Sequence, residues 1–150
     1  KGNKNVEVMN TIAATEQEIV EEFEMFDQWD DKYQYIIDMG KTLKSLDESL
    51  KTDDRIIKGC QSKVWLHSYV KDGKVFFEAD SDAIITKGIV ALMIRVLSGH
   101  DADEIVKAPL NFIEQIGLKS HLSPTRANGL AAMVKQMKLD ALALGATLKS

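Results

Sequence analysis

The chain has 150 residues, 45% hydrophobic and 28% charged, with a net charge of −4, the composition of an ordinary folded protein. One domain over residues 1–150 is expected, because a chain of this length buries roughly 68–70% of its unfolded surface and folds without a metal or a disulfide. The acidic balance and the absence of a basic stripe exclude direct nucleic-acid binding, and no apolar run approaches the roughly 18–20 residues that cross a membrane.

The polar start Lys1-Gly2-Asn3-Lys4-Asn5 has no signal-like apolar core, so a cytoplasmic protein is expected, with residues 1–10 poorly ordered. Thr15-Glu16-Gln17-Glu18 has the spacing of a capping box, and Ile19, Phe23 and Phe26 recur at helical intervals, which predicts a first helix to about Asp27. A second helix from about Asp30 presents Tyr33, Ile36 and Ile37, with Gly40 placed to end it in a left-handed conformation. The polar stretch from Lys41 to Asp54 reads as a connecting loop with a short helical turn.

Beyond it the periodicity changes. Val64 to Val70 is aromatic and β-branched, Asp72-Gly73 is a type I′ turn signal, and Val75-Phe76-Phe77 resumes the pattern, so a β-hairpin is expected. Arg55-Ile56-Ile57-Lys58 supplies a candidate third strand, leaving Gly59-Cys60-Gln61 at the tip between two strands. Ser81 or Asp82 then caps a long helix through about Ser98, with Ile85, Ile89, Leu92 and Val96 inward and Gly99 stopping it. Asp101 to Glu104 opens a short helix, Pro109 starts another that Gly117 ends, and residues 118–122 form a loop. Ser123-Pro124 joins a capping hydroxyl to a proline at the first helical position, so a final helix runs from there to about Leu144 with Arg126 in its first turn. Helices before and after a block of strands predict an α+β domain, its helices packed on one face of a small, three-stranded antiparallel sheet.

Chemistry concentrates at Cys60, the only cysteine. It cannot close a disulfide within its own chain, and one thiol with three scattered histidines does not make a cysteine-rich zinc site. A buried cysteine would sit in an apolar periodic run, whereas Gly59, Gln61, Ser62 and Lys63 are turn-forming or polar, so an accessible thiol on a turn is expected. His67, His100 and His121 are candidate bases for it; alternation places His67 on the side of Trp65 and Tyr69, and His100 reads as a cation near a helix C-terminus. His121 and Arg126 flank the start of the final helix, where a guanidinium near sulfur would favour the anion, with a surface ion pair as the alternative. The acidic series from Glu16 to Asp31 lacks the oxygen-ligand loop of a calcium site and reads as a solvated helix face.

Three blocks carry a family resemblance, extending from about Phe23 to Met137: Gly59-Cys60-Gln61-Ser62 with Val64-Trp65; Asp80-Ser81-Asp82-Ala83 through Lys87-Gly88; and His121-Leu122-Ser123-Pro124-Thr125-Arg126 with Gly129. Together they resemble the SufE family of sulfur-acceptor proteins. The resemblance implies that Cys60 takes sulfane sulfur from the persulfide of a SufS-type cysteine desulfurase, stimulates that enzyme, and passes the sulfur to a SufBCD-type scaffold for iron–sulfur cluster assembly. Such a chain is a sulfur-transfer partner rather than a stand-alone enzyme. It binds no cofactor itself, the pyridoxal phosphate belonging to the desulfurase. Family likeness also implies a loop tip that tucks into an apolar pocket and swings out on docking, with Gln61, Ser62, Asp82, His121 and Arg126 around the pocket or on the docking face. Thiolate attack on a polarised sulfur is consistent with this, and a solitary thiol cannot discharge the persulfide by closing a disulfide. Two readings from other classes stand beside it: a thiol hydrolase or peroxidase pairing Cys60 with His121 or Arg126, and a non-catalytic interaction domain that uses the acidic first helix.

Overall fold

A computed structural model of the protein describes residues 11–149; the expectation for residues 1–10 lies outside the described residues. Helix α1 spans Ile12–Glu24 and buries Ile12, Ile19 and Phe23. Its apolar stripe begins earlier than the capping-box spacing suggests, so Thr11 is the cap, accepting from the Ala14 N–H at 3.1 Å, and Thr15 lies inside the helix. Glu16 serves a different helix: its Oε2 accepts the Phe112 N–H at 3.2 Å.

Helix α2, Trp29–Thr42, runs through Gly40 instead of stopping there. A Cβ on Gly40 would stand 2.8 Å from the Gly88 backbone nitrogen, and one on Gly88 would stand 2.2 Å from the Ile36 carbonyl oxygen. Gly40 is therefore a contact residue, and the paired glycines bring α2 against α3, Ile84–Leu97, backbone to backbone. Two 3₁₀ turns, Glu48–Leu50 and Asp53–Arg55, occupy the connection that follows α2.

Strands β1, Val64–Lys71, and β2, Lys74–Ser81, pair antiparallel from Val64↔Ser81 to Lys71↔Lys74. Asp72 and Gly73 both have positive φ, 54° and 77°, as a type I′ turn requires. The sheet has two strands, not three. Arg55 belongs to a 3₁₀ turn, and only an isolated bridge, Ile56↔Trp65, joins the expected third strand to β1, reinforced by the Ile57 N–H donating to the Val64 carbonyl at 2.9 Å. After that pair the chain leaves the sheet at Gly59, whose φ of 98° turns it against the final helix. One face of the hairpin, with Val64, Leu66, Val75, Phe77 and Ala79, is buried in the core beneath the helices.

Helix α3 starts at Ala83 with no side-chain cap and carries Ile89, Leu92, Met93 and Val96 into the core. Gly99, with φ 84°, ends it as expected and returns the chain to β2, its N–H donating to the Val75 carbonyl at 2.8 Å. Helix α4 spans Ala102–Lys107. Helix α5 is Phe112–Gln115, beginning three residues after Pro109 because Leu110 takes a left-handed φ of 55°. A 3₁₀ turn, Lys119–His121, leads to α6, Pro124–Lys149, which extends past Leu144. Six helices among the described residues thus enclose one face of a hairpin, an α+β architecture.

Candidate functional site

The Cys60 loop leaves the hairpin edge and returns to it within a few residues. Its first hinge is the Ile57–Val64 hydrogen bond. Its second is a clamp on Lys63: the Lys63 N–H donates to Asp82 Oδ1 at 3.0 Å, and the Lys63 carbonyl accepts from the Ser81 hydroxyl at 2.8 Å and the Asp82 N–H at 3.3 Å. Ser81 and Asp82, expected as caps of α3, instead hold the base of this loop. Asp80 beside them is buried; it accepts the Leu46 and Ser81 N–H groups at 3.2 and 2.8 Å and pairs with Lys87 and Lys51 at 3.3 and 3.4 Å. Burial alone would raise its pKa, but the hydrogen bonds from Ser81, Leu46 and Lys87 prevail and hold the carboxyl below its ordinary value.

Between these hinges Gly59 approaches α6 so closely that a Cβ on it would lie 3.2 Å from the Ala132 methyl. The neighbouring Cys60 is half-buried, its Sγ donating to the Gly129 carbonyl at 3.5 Å. Gly129 presents its backbone there, and a Cβ on it would meet the sulfur at 3.5 Å, an ordinary van der Waals contact. Burial pushes the Cys60 thiol above its ordinary pKa, so the resting sulfur is protonated at neutral pH.

A cavity of about 210 Å³ opens beside the thiol, lined by Cys60, Gln61 and Ser62 from the loop, by Thr86 and Ile89 from α3, and by Ser123, Thr125, Arg126, Gly129 and Met133 from the α6 side. Ser123 caps α6 by accepting the Arg126 N–H at 3.3 Å, which fixes the guanidinium's helix end at the cavity rim. Among the described residues no carboxylate pairs with Arg126, in contrast to the surface ion pair that stood as its alternative.

Of the residues singled out in the sequence, Cys60, Gln61, Ser62 and Arg126 converge on this cavity, while Asp82 acts below it on the loop base. His121 lies outside. Its ring stacks on Trp29 at 3.9 Å between centroids, its Nδ1 bonds the Gly117 carbonyl at 2.9 Å, and its own carbonyl accepts from the Tyr33 hydroxyl. His67 stacks on Tyr69 on the other face of the hairpin, and His100 stands 4.0 Å from Glu104 with its pKa lowered by burial. No described histidine lines the cavity. Sequence reasoning missed Thr86, Ile89 and Met133 as lining residues and Asp80 as the anchor of the connection after α2; their inward helical spacing marked Ile89 and Met133 as core, and no local signal marked Thr86. Among the described residues no three His, Cys, Asp or Glu side chains gather as metal ligands, and no helix is long and apolar enough to cross a membrane.

The family description "SufE: Fe-S metabolism associated domain" matches residues 17–141. The chain belongs to the SufE family. Relatives of this SufE chain include a SufE-like protein of Rhizobium meliloti (strain 1021), 38% identical over 83% of this chain and 92% of that one. The SufE-like protein 1, chloroplastic/mitochondrial, of Arabidopsis thaliana is 40% identical over 85% of this chain and 35% of its own length. The sulfur acceptor protein CsdE of Escherichia coli (strain K12) is 36% identical over 71% and 74%. The SufE fold recurs in the solution structure of a hypothetical protein from Thermus thermophilus, with a TM-score of 0.74 at 19% identity, covering 91% and 97% of the two chains.

Proposed function

We propose that this protein is a sulfur acceptor and carrier that loads Cys60 from a cysteine desulfurase, stimulates that enzyme by removing its product sulfur, and delivers the sulfur for iron–sulfur cluster assembly on a SufBCD-type scaffold. The observation that carries the reading is the seat of the lone thiol: Cys60 on a loop turned by the left-handed Gly59, half-buried against Gly129 and facing a cavity rimmed by Arg126. Membership of the SufE family and likeness to a sulfur acceptor protein support it.

In the transfer step the Cys60 thiolate attacks the terminal sulfur of the donor's cysteine persulfide. The S–S bond of the donor breaks, its cysteine leaves as a thiolate with the electron pair, and Cys60 carries the new S–S bond, so no net oxidation or reduction occurs. The buried, protonated thiol is a poor nucleophile at rest. Swinging the loop out on its two hinges restores ordinary thiol acidity, so reactivity is tied to docking. The desulfurase supplies pyridoxal phosphate chemistry; this chain supplies the acceptor sulfur and its shelter. A hydrolase reading lacks its base, since His67, His100 and His121 are each engaged elsewhere.

Incubation with a cysteine desulfurase, pyridoxal phosphate and cysteine, followed by peptide mass spectrometry, is expected to add one sulfur atom to the Cys60 peptide and to raise desulfurase turnover. Cys60→Ser abolishes both. An unmodified Cys60, with equal turnover for wild type and Cys60→Ser, would overturn the reading.

A further inference from the structure

Thr86 is the third residue of α3 and is 6% exposed, yet it lines the cavity that receives the Cys60 sulfur. Among the described residues its hydroxyl has no hydrogen-bond partner, and no sealed-in oxygen or nitrogen lacks one, so the Thr86 Oγ1 is not sealed off, and Thr86 borders the cavity. A hydroxyl that borders a cavity and has no protein partner is free to donate to an atom that enters it. The positive end of α3 adds to this, because Ala83 at its start offers no capping side chain and the dipole there favours negative charge. The other hydroxyls differ: Ser123 already caps α6, Thr125 is exposed, and Ser62 is only partly buried and sits on the Cys60 loop itself, whereas Thr86 is held on a helix.

We propose that Thr86 is a positioning residue for the loaded state, its hydroxyl donating a hydrogen bond to the terminal sulfur of the Cys60 persulfide inside the cavity. The inference rests on the sulfur-carrier reading above. A persulfide extends the side chain by one S–S bond, about 2.05 Å, and the cavity beside Cys60 has room for it. Once its proton passes to water, the terminal sulfur is an acceptor-only anion. Thr86 then meets it from the closed side, while Arg126 offers its charge from the exposed rim. Ile89 and Met133 supply apolar walls that limit solvent access to the stored sulfur.

The test loads Cys60 without any partner enzyme. Inorganic tetrasulfide donates one sulfur to the thiolate, and trisulfide leaves with the electron pair of the broken S–S bond. Wild type, Thr86→Val and Thr86→Ser are loaded alike, verified by mass, and followed for sulfur loss to cyanide, which departs as thiocyanate. Loss from Thr86→Val is expected about tenfold faster than from wild type, and from Thr86→Ser within about twofold of it, the scale of one hydrogen bond to a charged group. The pH midpoint for alkylation of the persulfide is expected to rise in Thr86→Val alone, which a mere packing defect would not produce. Equal lifetimes and equal midpoints in Thr86→Val and wild type, both fully loaded, would overturn the role of Thr86 and leave the carrier reading standing. Failure of loading by the desulfurase, with normal tetrasulfide behaviour, would overturn the carrier reading and leave the Thr86 contact intact.

Discussion

Cys60 owes its resting state to two backbone features, the left-handed Gly59 that aims it at α6 and the Gly129 carbonyl that accepts from its Sγ. Its raised pKa follows from burial, because no charged group compensates the thiolate in the closed loop. In the folded protein the rate of iodoacetamide alkylation at Cys60 is therefore expected to rise with pH through a midpoint above that of the denatured chain. Measuring the rate at a series of pH values, with and without denaturant, decides it: coincident midpoints mean that the thiol is not sheltered. At this scale the candidate thiol was legible, since a lone cysteine among turn-forming residues stands out. Its half-buried seat was not, because the wall that shelters it lies 69 residues further along the chain.

Among the elements, α3 is the organiser: it meets α2 through the Gly40–Gly88 contact, closes the cavity with Thr86 and Ile89, and lies beside the Asp82 clamp. The contact leaves no room for a methyl group at Gly88, where a Cβ would fall 2.2 Å from backbone. Gly88→Ala is expected to destabilise the fold by about 3 kcal/mol, the upper range of overpacking, as measured by urea unfolding. A loss below about 0.5 kcal/mol would mean that α2 and α3 separate easily. Periodicity announced the hairpin, α3 and α6, whose patterns are local. It misread Gly40 as a stop because a glycine required by a neighbouring helix looks identical to one required by a left-handed turn. The third strand failed for a similar reason: Ile56 and Ile57 have strand character, but the geometry that seats Cys60 takes the chain off the sheet after a single bridge.

For the molecule as a whole, Asp80 joins the connection after α2, the end of β2, and α3 through Leu46, Lys51 and Lys87. Its carboxyl has a depressed pKa in the folded state, so its contribution is fully present above the ordinary Asp value of about 3.9 and is lost as pH falls through the folded value. Asp80→Asn is expected to cost about 2 kcal/mol at neutral pH, with the gap from wild type narrowing below about pH 4, in denaturant titrations across pH. A gap independent of pH would show that the charge is not what joins these three elements. The acidic first helix, read as a solvated face, has internal duties too, with Glu22 paired to Arg95 at 2.6 Å and Glu16 holding the start of α5.

The α+β class, the hairpin with its turn, the N-terminus of α6 and the single thiol were all present in the sequence, because each is written in local spacing or in unique chemistry. Tertiary structure decided that the sheet stops at two strands, that His121 turns away to stack on Trp29, and that Thr86 joins Cys60 and Arg126 around one cavity. Those outcomes depend on which surfaces meet across long stretches of chain. A periodic pattern records that a residue faces inward, but only packing determines what it faces.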